Sequence, residues 1–155
     1  MMIHLCCDVL SSLKGQSLVT AESCTGGGIG TALTSVAGSS KVYKGGIISY
    51  TNDVKIQQLQ VSAELIDREG AVSALVAEAM AVGVRNVLAA DVAVSVTGLA
   101  GPDGDDRGNP VGTVYIGYAD KNGVTNRKFL FCGDRETIRN QAIIAALEFV
   151  LQMQK

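Results

Sequence analysis

The sequence predicts an α/β protein, a three-layer α/β/α sandwich around a mixed sheet. Short β-rich runs alternate with helical patterns early in the chain, as parallel strands with crossover helices require. Two further β-rich runs meet across a KNG turn, the mark of an antiparallel pair. A long helical pattern closes the chain. The predicted order is α-β-α-β-α-α-β-β-β-α.

Each element has a local reason. Residues 2 to 14 place Ile3, Cys6, Val9, Leu10 and Leu13 at helical spacing, and Gly15 follows as a stop. SLVTA (17–21) is a short β-rich run. GGGIGTALTSV (26–36) reads as a helix entered through glycines, and AGSSK (37–41) as a turn. VYKGGIISY (42–50) is a strand region interrupted by Gly45 and Gly46. Asn52 is the expected N-cap of a helix through DVKIQQL, with a break at Gly70. Ser73 caps a long amphipathic helix in which Leu75, Val76, Ala79, Met80 and Val84 share a face. DVAVSVTG (91–98) is a buried strand, and LAGPDGDDRGNP (99–110) is a loop. VGTVYIGYAD (111–120) and VTNRKFLFC (124–132) form the hairpin. The last helix starts at an Asp134 N-cap, with Glu136 in its first turn.

Composition bounds the function. The chain has 155 residues, 47% hydrophobic and 18% charged, which suits one domain with a sizeable core. No repeat, linker or low-complexity tract divides residues 1–155, so a single domain is expected. A net charge of −2 with scattered Lys and Arg argues against a nucleic-acid binder. No apolar run reaches the ~18 residues of a membrane helix. The MMIHLCCDVL start lacks the charged region of a secretory signal, so a reduced, cytoplasmic protein is expected. Cys6, Cys7, Cys24 and Cys132 form no CxxC pair, and the sole histidine is His4, so no zinc site is expected. Cys6, Cys7 and Cys132 are expected to be buried.

The stretch TAESCTGGGIG (20–30) sets nucleophile-type side chains against glycine. Read as GxGxxG from Gly26 or Gly28, it ends on Thr31 or Leu33 instead of a small residue. The next strand closes on Tyr50 without the acidic residue a dinucleotide fold needs. No GK[ST] exists for a phosphate loop. What remains is a strand–turn–helix with Ser23, Cys24 and Thr25 at the turn. Amides there suit an anion or a developing oxyanion, although a plain glycine turn has the same sequence. Cys24 has no histidine to activate it and reads as a packing residue.

A second cluster, GSSKVYKGGIISYTNDVK (38–55), supplies Ser39, Ser40, Tyr50 and Lys55. A lysine near a helix N-terminus is disfavoured by the dipole. If also buried, it loses its proton more readily and becomes a general base. Serine beside neutral lysine replaces a Ser–His pair. Thr97 and Gly98 end a buried strand, where α/β sheets place ligands. Arg135 and Arg139 stand one turn apart on the last helix, in reach of Asp134 or Glu136.

TAESCTGG, GSS, SYTN-x2-K, GAVS (70–73), VTGLAGPDG, NPVGTVYIGYA and GDRETIRNQA follow one another as in the CinA C-terminal domain family. On these motifs the chain, from about residue 5 to 152, resembles a stand-alone member of that family. The resemblance implies hydrolysis of nicotinamide mononucleotide to nicotinate mononucleotide and ammonia, by a Ser/Lys pair without metal or other cofactor. It implies Ser40 as nucleophile and Lys55 as its base, with Ser23 in reserve. Tyr50 and Thr97 would orient the lysine or the amide. Backbone amides of Thr25, Gly26 and Gly27 would hold the oxyanion, and Arg139 with the glycine-loop amides would meet the phosphate. The implied partner is a small nucleotide, not nucleic acid or a membrane, and a homodimer is expected. The family's association with competence suggests a second reading, a non-catalytic nucleotide- or partner-binding module. Ser40, Tyr50 and Lys55 together favour the enzyme. Where relatives often have GPGG, this loop reads GPDGDD, bringing Asp103, Asp105 and Asp106 near the presumed site. The glycine-rich helix entry is expected to loosen its turn.

Overall fold

The chain is built on one five-stranded sheet in the order β2-β1-β3-β4-β5, seen in a computed structural model that describes residues 1–155. The strands are β1 (Leu18–Glu22), β2 (Tyr43–Ile48), β3 (Val92–Gly98), β4 (Thr113–Asp120) and β5 (Gly123–Leu130). β1 pairs parallel with both β2 and β3, while β4 runs antiparallel to β3 and β5. The helices are α1 (Met2–Ser12), α2 (Gly28–Thr34), α3 (Asn52–Leu59), α4 (Ala63–Glu69), α5 (Ala74–Val87) and α6 (Arg135–Met153). The predicted mixed-sheet sandwich is the observed fold.

Strand alternation builds a core on each face. Val92, Val94 and Val96 of β3, with Val114, Ile116 and Tyr118 of β4, meet α1, α2 and α6. Val19, Ala21, Ala93 and Ala119 face the other way, against α3, α4 and α5. The small residues on this second face let α5 lie close. Gly117 is required there, because a β-carbon would run into the Ala77 carbonyl of α5.

Several local expectations are corrected. Between β2 and β3 lie three helices, not two. Gln60, in the left-handed region at φ 59°, ends α3, and Ser62 accepts from Leu65 N–H to start α4. Thr51, not Asn52, is the N-cap of α3. The buried face of α5 runs through Val76, Ala77, Met80, Ala81 and Val84, while Leu75 is exposed. Cys6 is buried, but Cys7 and Cys132 are exposed. Cys7 directly follows the core-facing Cys6, and adjacent helical residues cannot share one face.

The topology fixes where a site can form. From β1 the chain crosses to β2 at one edge, then returns past β1 to β3. The carboxyl ends of β1, β2 and β3 therefore point the same way, and connections diverge between β1 and β3. Such a divergence leaves a crevice beyond the strand ends.

Candidate active site

A cleft of about 420 Å³ opens at that edge, within the ~300–1,000 Å³ usual for small-molecule sites. Ser23 enters it from the end of β1, Tyr50 from the end of β2, Lys55 from the first turn of α3, and Thr97 from β3.

Lys55 is only 2% exposed. Its Nζ donates to Ser23 Oγ at 3.2 Å and to the Ser49 carbonyl at 3.0 Å. Ser23 Oγ in turn donates to the Tyr50 carbonyl at 3.4 Å. No carboxylate pairs with the lysine, since the molecule's one ion pair is Arg68–Glu69. Burial therefore holds the Lys55 amine below the ordinary lysine value of 10.5, with Cys24 pulling weakly the other way. A neutral amine has two protons and a lone pair. It can donate to Ser49 O while accepting the Ser23 proton, which the charged form cannot do.

The expected Ser40–Lys55 pair is not made. Ser40 lies in the 3-10 turn Ser39–Lys41 that enters β2 and is exposed, whereas Lys55 follows the strand's exit. The length of β2, roughly 3.3 Å per residue, separates them. Ser23 stands where Ser40 was expected.

Tyr50 and Thr97 line the cleft, but neither side chain bonds Lys55. The Tyr50 hydroxyl accepts from Arg135 Nη2 at 2.9 Å, and Thr97 Oγ1 donates to the Ala71 carbonyl at 2.7 Å. Burial pushes the Cys24 thiol up to about 11, the wrong direction for a nucleophile.

The glycine turn is filled from within. Glu22, 2% exposed, accepts from Thr25 Oγ1 at 2.7 Å, Ile29 N–H at 2.8 Å and Gly30 N–H at 3.1 Å. The protein's own carboxylate thus occupies the helix-entry amides of Ile29 and Gly30, next to the Thr25, Gly26 and Gly27 amides that were expected to hold the oxyanion. Gly26 N–H donates to the Ser23 carbonyl at 3.0 Å, while those of Thr25 and Gly27 reach no protein acceptor. Arg139 donates through Nε to Cys24 O at 3.0 Å and through Nη2 to Thr25 O at 3.2 Å, so it fastens the turn. The turn is not loosened by its glycines. Gly27 needs its left-handed φ of 99°, and a β-carbon on Gly30 would lie 2.7 Å from the Tyr43 hydroxyl.

Two residues were missed. Glu22 had a readable signal, an acidic residue just before a glycine-rich helix entry. Arg135 had none, because its partners come from distant loops. It pairs with neither Asp134 nor Glu136 but donates to Gly101 O at 2.6 Å and to Tyr50. It also lines both the cleft and a second cavity of about 700 Å³ beside the glycine turn, which Gly26, Gly27 and Arg139 border.

The acidic loop divides by direction. Asp105 accepts from Arg107 N–H, Asn109 N–H and Asn109 Nδ2, stapling the loop to itself. Asp105 and Asp106 line the neighbouring cavity beside α4, which shares Ala71, Val72 and Leu99 with the cleft. Only Asp103 lines the cleft. No three His, Cys, Asp or Glu side chains converge as metal ligands would, and no helix is long and apolar enough to cross a membrane.

Comparison with known proteins bears on this geometry. The chain is 47% identical over 140 residues to the nicotinamide-nucleotide amidohydrolase PncC of Enterobacter agglomerans, covering 90% of this chain and 85% of that one. It is 49% identical over 140 residues to a CinA-like protein of Thermosynechococcus vestitus, covering 88% of this chain and 34% of that one. It thus spans about a third of the length of such relatives. The crystal structure of a competence/damage inducible protein from Agrobacterium tumefaciens superposes with a TM-score of 0.95 at 37% identity, over 99% of this chain and 96% of that one. Residues 4–154 match the model of the CinA C-terminal domain, and the chain belongs to that family.

Proposed function

We propose that the protein is an amidohydrolase that deamidates nicotinamide mononucleotide, with Ser23 as nucleophile and Lys55 as general base. The contact between Ser23 Oγ and a buried lysine that has no carboxylate partner carries this reading. The likeness to PncC supplies the substrate.

Neutral Lys55 takes the Ser23 proton as Oγ attacks the carboxamide carbon. Thr25 N–H, two residues after Ser23 and free of protein acceptors, is the amide this reading assigns to the developing oxyanion. The tetrahedral adduct collapses, the C–N bond breaks, and Lys55 returns the proton to the departing ammonia. Lys55 then deprotonates water, which cleaves the ester to nicotinate mononucleotide and free Ser23. Burial makes this cycle accessible, because it brings the amine toward the pH at which it both accepts and returns a proton.

Arg135 is the phosphate's partner at the junction of the two cavities, whereas Arg139 is committed to the turn. The test is ammonia release from nicotinamide mononucleotide by chelator-treated protein. Ammonia and nicotinate mononucleotide in equal amounts are expected. Binding of the nucleotide without ammonia would replace this reading with a non-catalytic nucleotide-binding module.

A further inference from the structure

Three side chains that normally carry full charge line the cleft, Lys55, Arg135 and Asp103. Both cationic side chains are engaged, Lys55 with Ser23 and Ser49, Arg135 with Gly101 and Tyr50. Asp103 forms no ion pair with either. Asp103 is therefore the one acidic group facing the cleft, and no cation of the protein pairs with it. Beside it lies an apolar wall of Ala71, Val72, Leu99 and Ala100, and the exposed ring of Tyr50 stands at the rim. An apolar wall, an aromatic ring and a free carboxylate are jointly complementary to a flat ring that carries positive charge.

We propose that Asp103 is a specificity-determining residue that selects a cationic ring, an N-substituted pyridinium carboxamide, over a neutral ring of the same shape. This rests on the amidohydrolase reading and adds which carboxamides are favoured at Ser23. A cationic ring loses hydration on entering the cleft, and Asp103 offsets that loss. A neutral ring gains nothing from the carboxylate and still has to displace its water. The charges are also sorted by place. Asp103 belongs to the cleft alone, while Arg135 stands between the cleft and the second cavity. A ligand with a positive ring and a negative phosphate can satisfy both at once.

The probe pair is nicotinamide mononucleotide and its neutral isostere, benzamide C-riboside 5′-monophosphate, in which carbon replaces the ring nitrogen. Affinities are measured by calorimetry at low salt in a Ser23→Ala background, where no turnover intervenes. The cationic ring is expected to bind about fivefold tighter. Asp103→Asn should abolish that preference by weakening only the pyridinium ligand. Asp106→Asn removes the same charge from the same loop but at a residue that lines the neighbouring cavity and not the cleft, and should keep the preference. A preference that survives Asp103→Asn, or one lost equally in Asp106→Asn, overturns the proposal. If the preference behaves as expected but protein with Ser23 intact releases no ammonia, the amidohydrolase reading fails and the ring-charge selection stands. If neither ligand binds, both fall.

Discussion

The two ends of β2 carry similar sequences, GSSK at the entry and ISYTN at the exit, yet their surroundings have little in common. At the entry, Ser40 is exposed on a 3-10 turn. At the exit, the carbonyls of Ser49 and Tyr50 hold a buried lysine and the serine beside it. A hydroxyl acquires chemistry from its neighbours, and strand direction decides who those neighbours are. Parallel pairing of β1 with β2 brings the ends of both strands to one edge. Ser23 therefore meets Lys55, while Ser40 is left at the opposite edge.

Replacing the hydroxyl at each end tests this contrast most directly. Ser23→Ala should lower kcat by about 10⁴-fold, since it removes the proposed nucleophile. Comparable loss from Ser40→Ala, in an ammonia-release assay, would return the nucleophile to the entry turn.

Lys55→Met should lower kcat by about 10³-fold without lowering Tm. The stability sign follows from the depressed pKa. Between the folded value and the unfolded value near 10.5, the unfolded chain binds more protons, so stability rises with pH. The penalty of burying the charged amine is complete below the folded value and fades as pH climbs through this window. The Met variant's thermal advantage should fade with it. In the native protein, kcat/KM should rise with pH to a midpoint below 10.5. A profile flat across that range would remove Lys55 from the role of base.

Glu22→Gln sharpens the comparison from the side of the turn. An amide NH₂ would be turned against Ile29 N–H or Gly30 N–H, costing about 2 kcal/mol and lowering Tm. Turnover should fall by roughly tenfold, mainly in kcat, as the Ser23 turn loses its anchor. A native Tm in this variant would show that the carboxylate does not hold the turn. The smallest effect is expected at the entry, where Ser40→Ala should change kcat less than about twofold.

Much of the fold was legible because its signals are local. Ser73 and Asp134 accept from Val76 N–H and Thr137 N–H as their sequences suggest, and the KNG turn joins β4 to β5. α4 escaped notice because its start, Ser62, lies just two residues after the left-handed Gln60, and the two signals blur into one loop. At the site, Lys55 at the start of α3 was legible from its spacing after Tyr50, and so was the strand-end position of Thr97. The identity of its serine was not. Ser23 and Ser40 both sit in turns beside small residues, and no spacing rule tells which edge of a sheet a turn will occupy.

By itself, the amino-acid sequence determined the elements, the caps and the two faces that bury a core, because capping and apolar periodicity act within a few residues. It also left lysine as the base available to any serine chemistry, because the sole histidine is His4. Only the tertiary structure decided that Ser23 meets Lys55, that Glu22 fills its own helix entry, that Arg139 is spent on the turn, and that Asp103 alone of the acidic loop faces the cleft. Those outcomes depend on strand direction and on contacts between residues distant in the chain, such as the 114 positions between Arg139 and Thr25. Closing such contacts is the work of the whole sheet, and no local pattern encodes it.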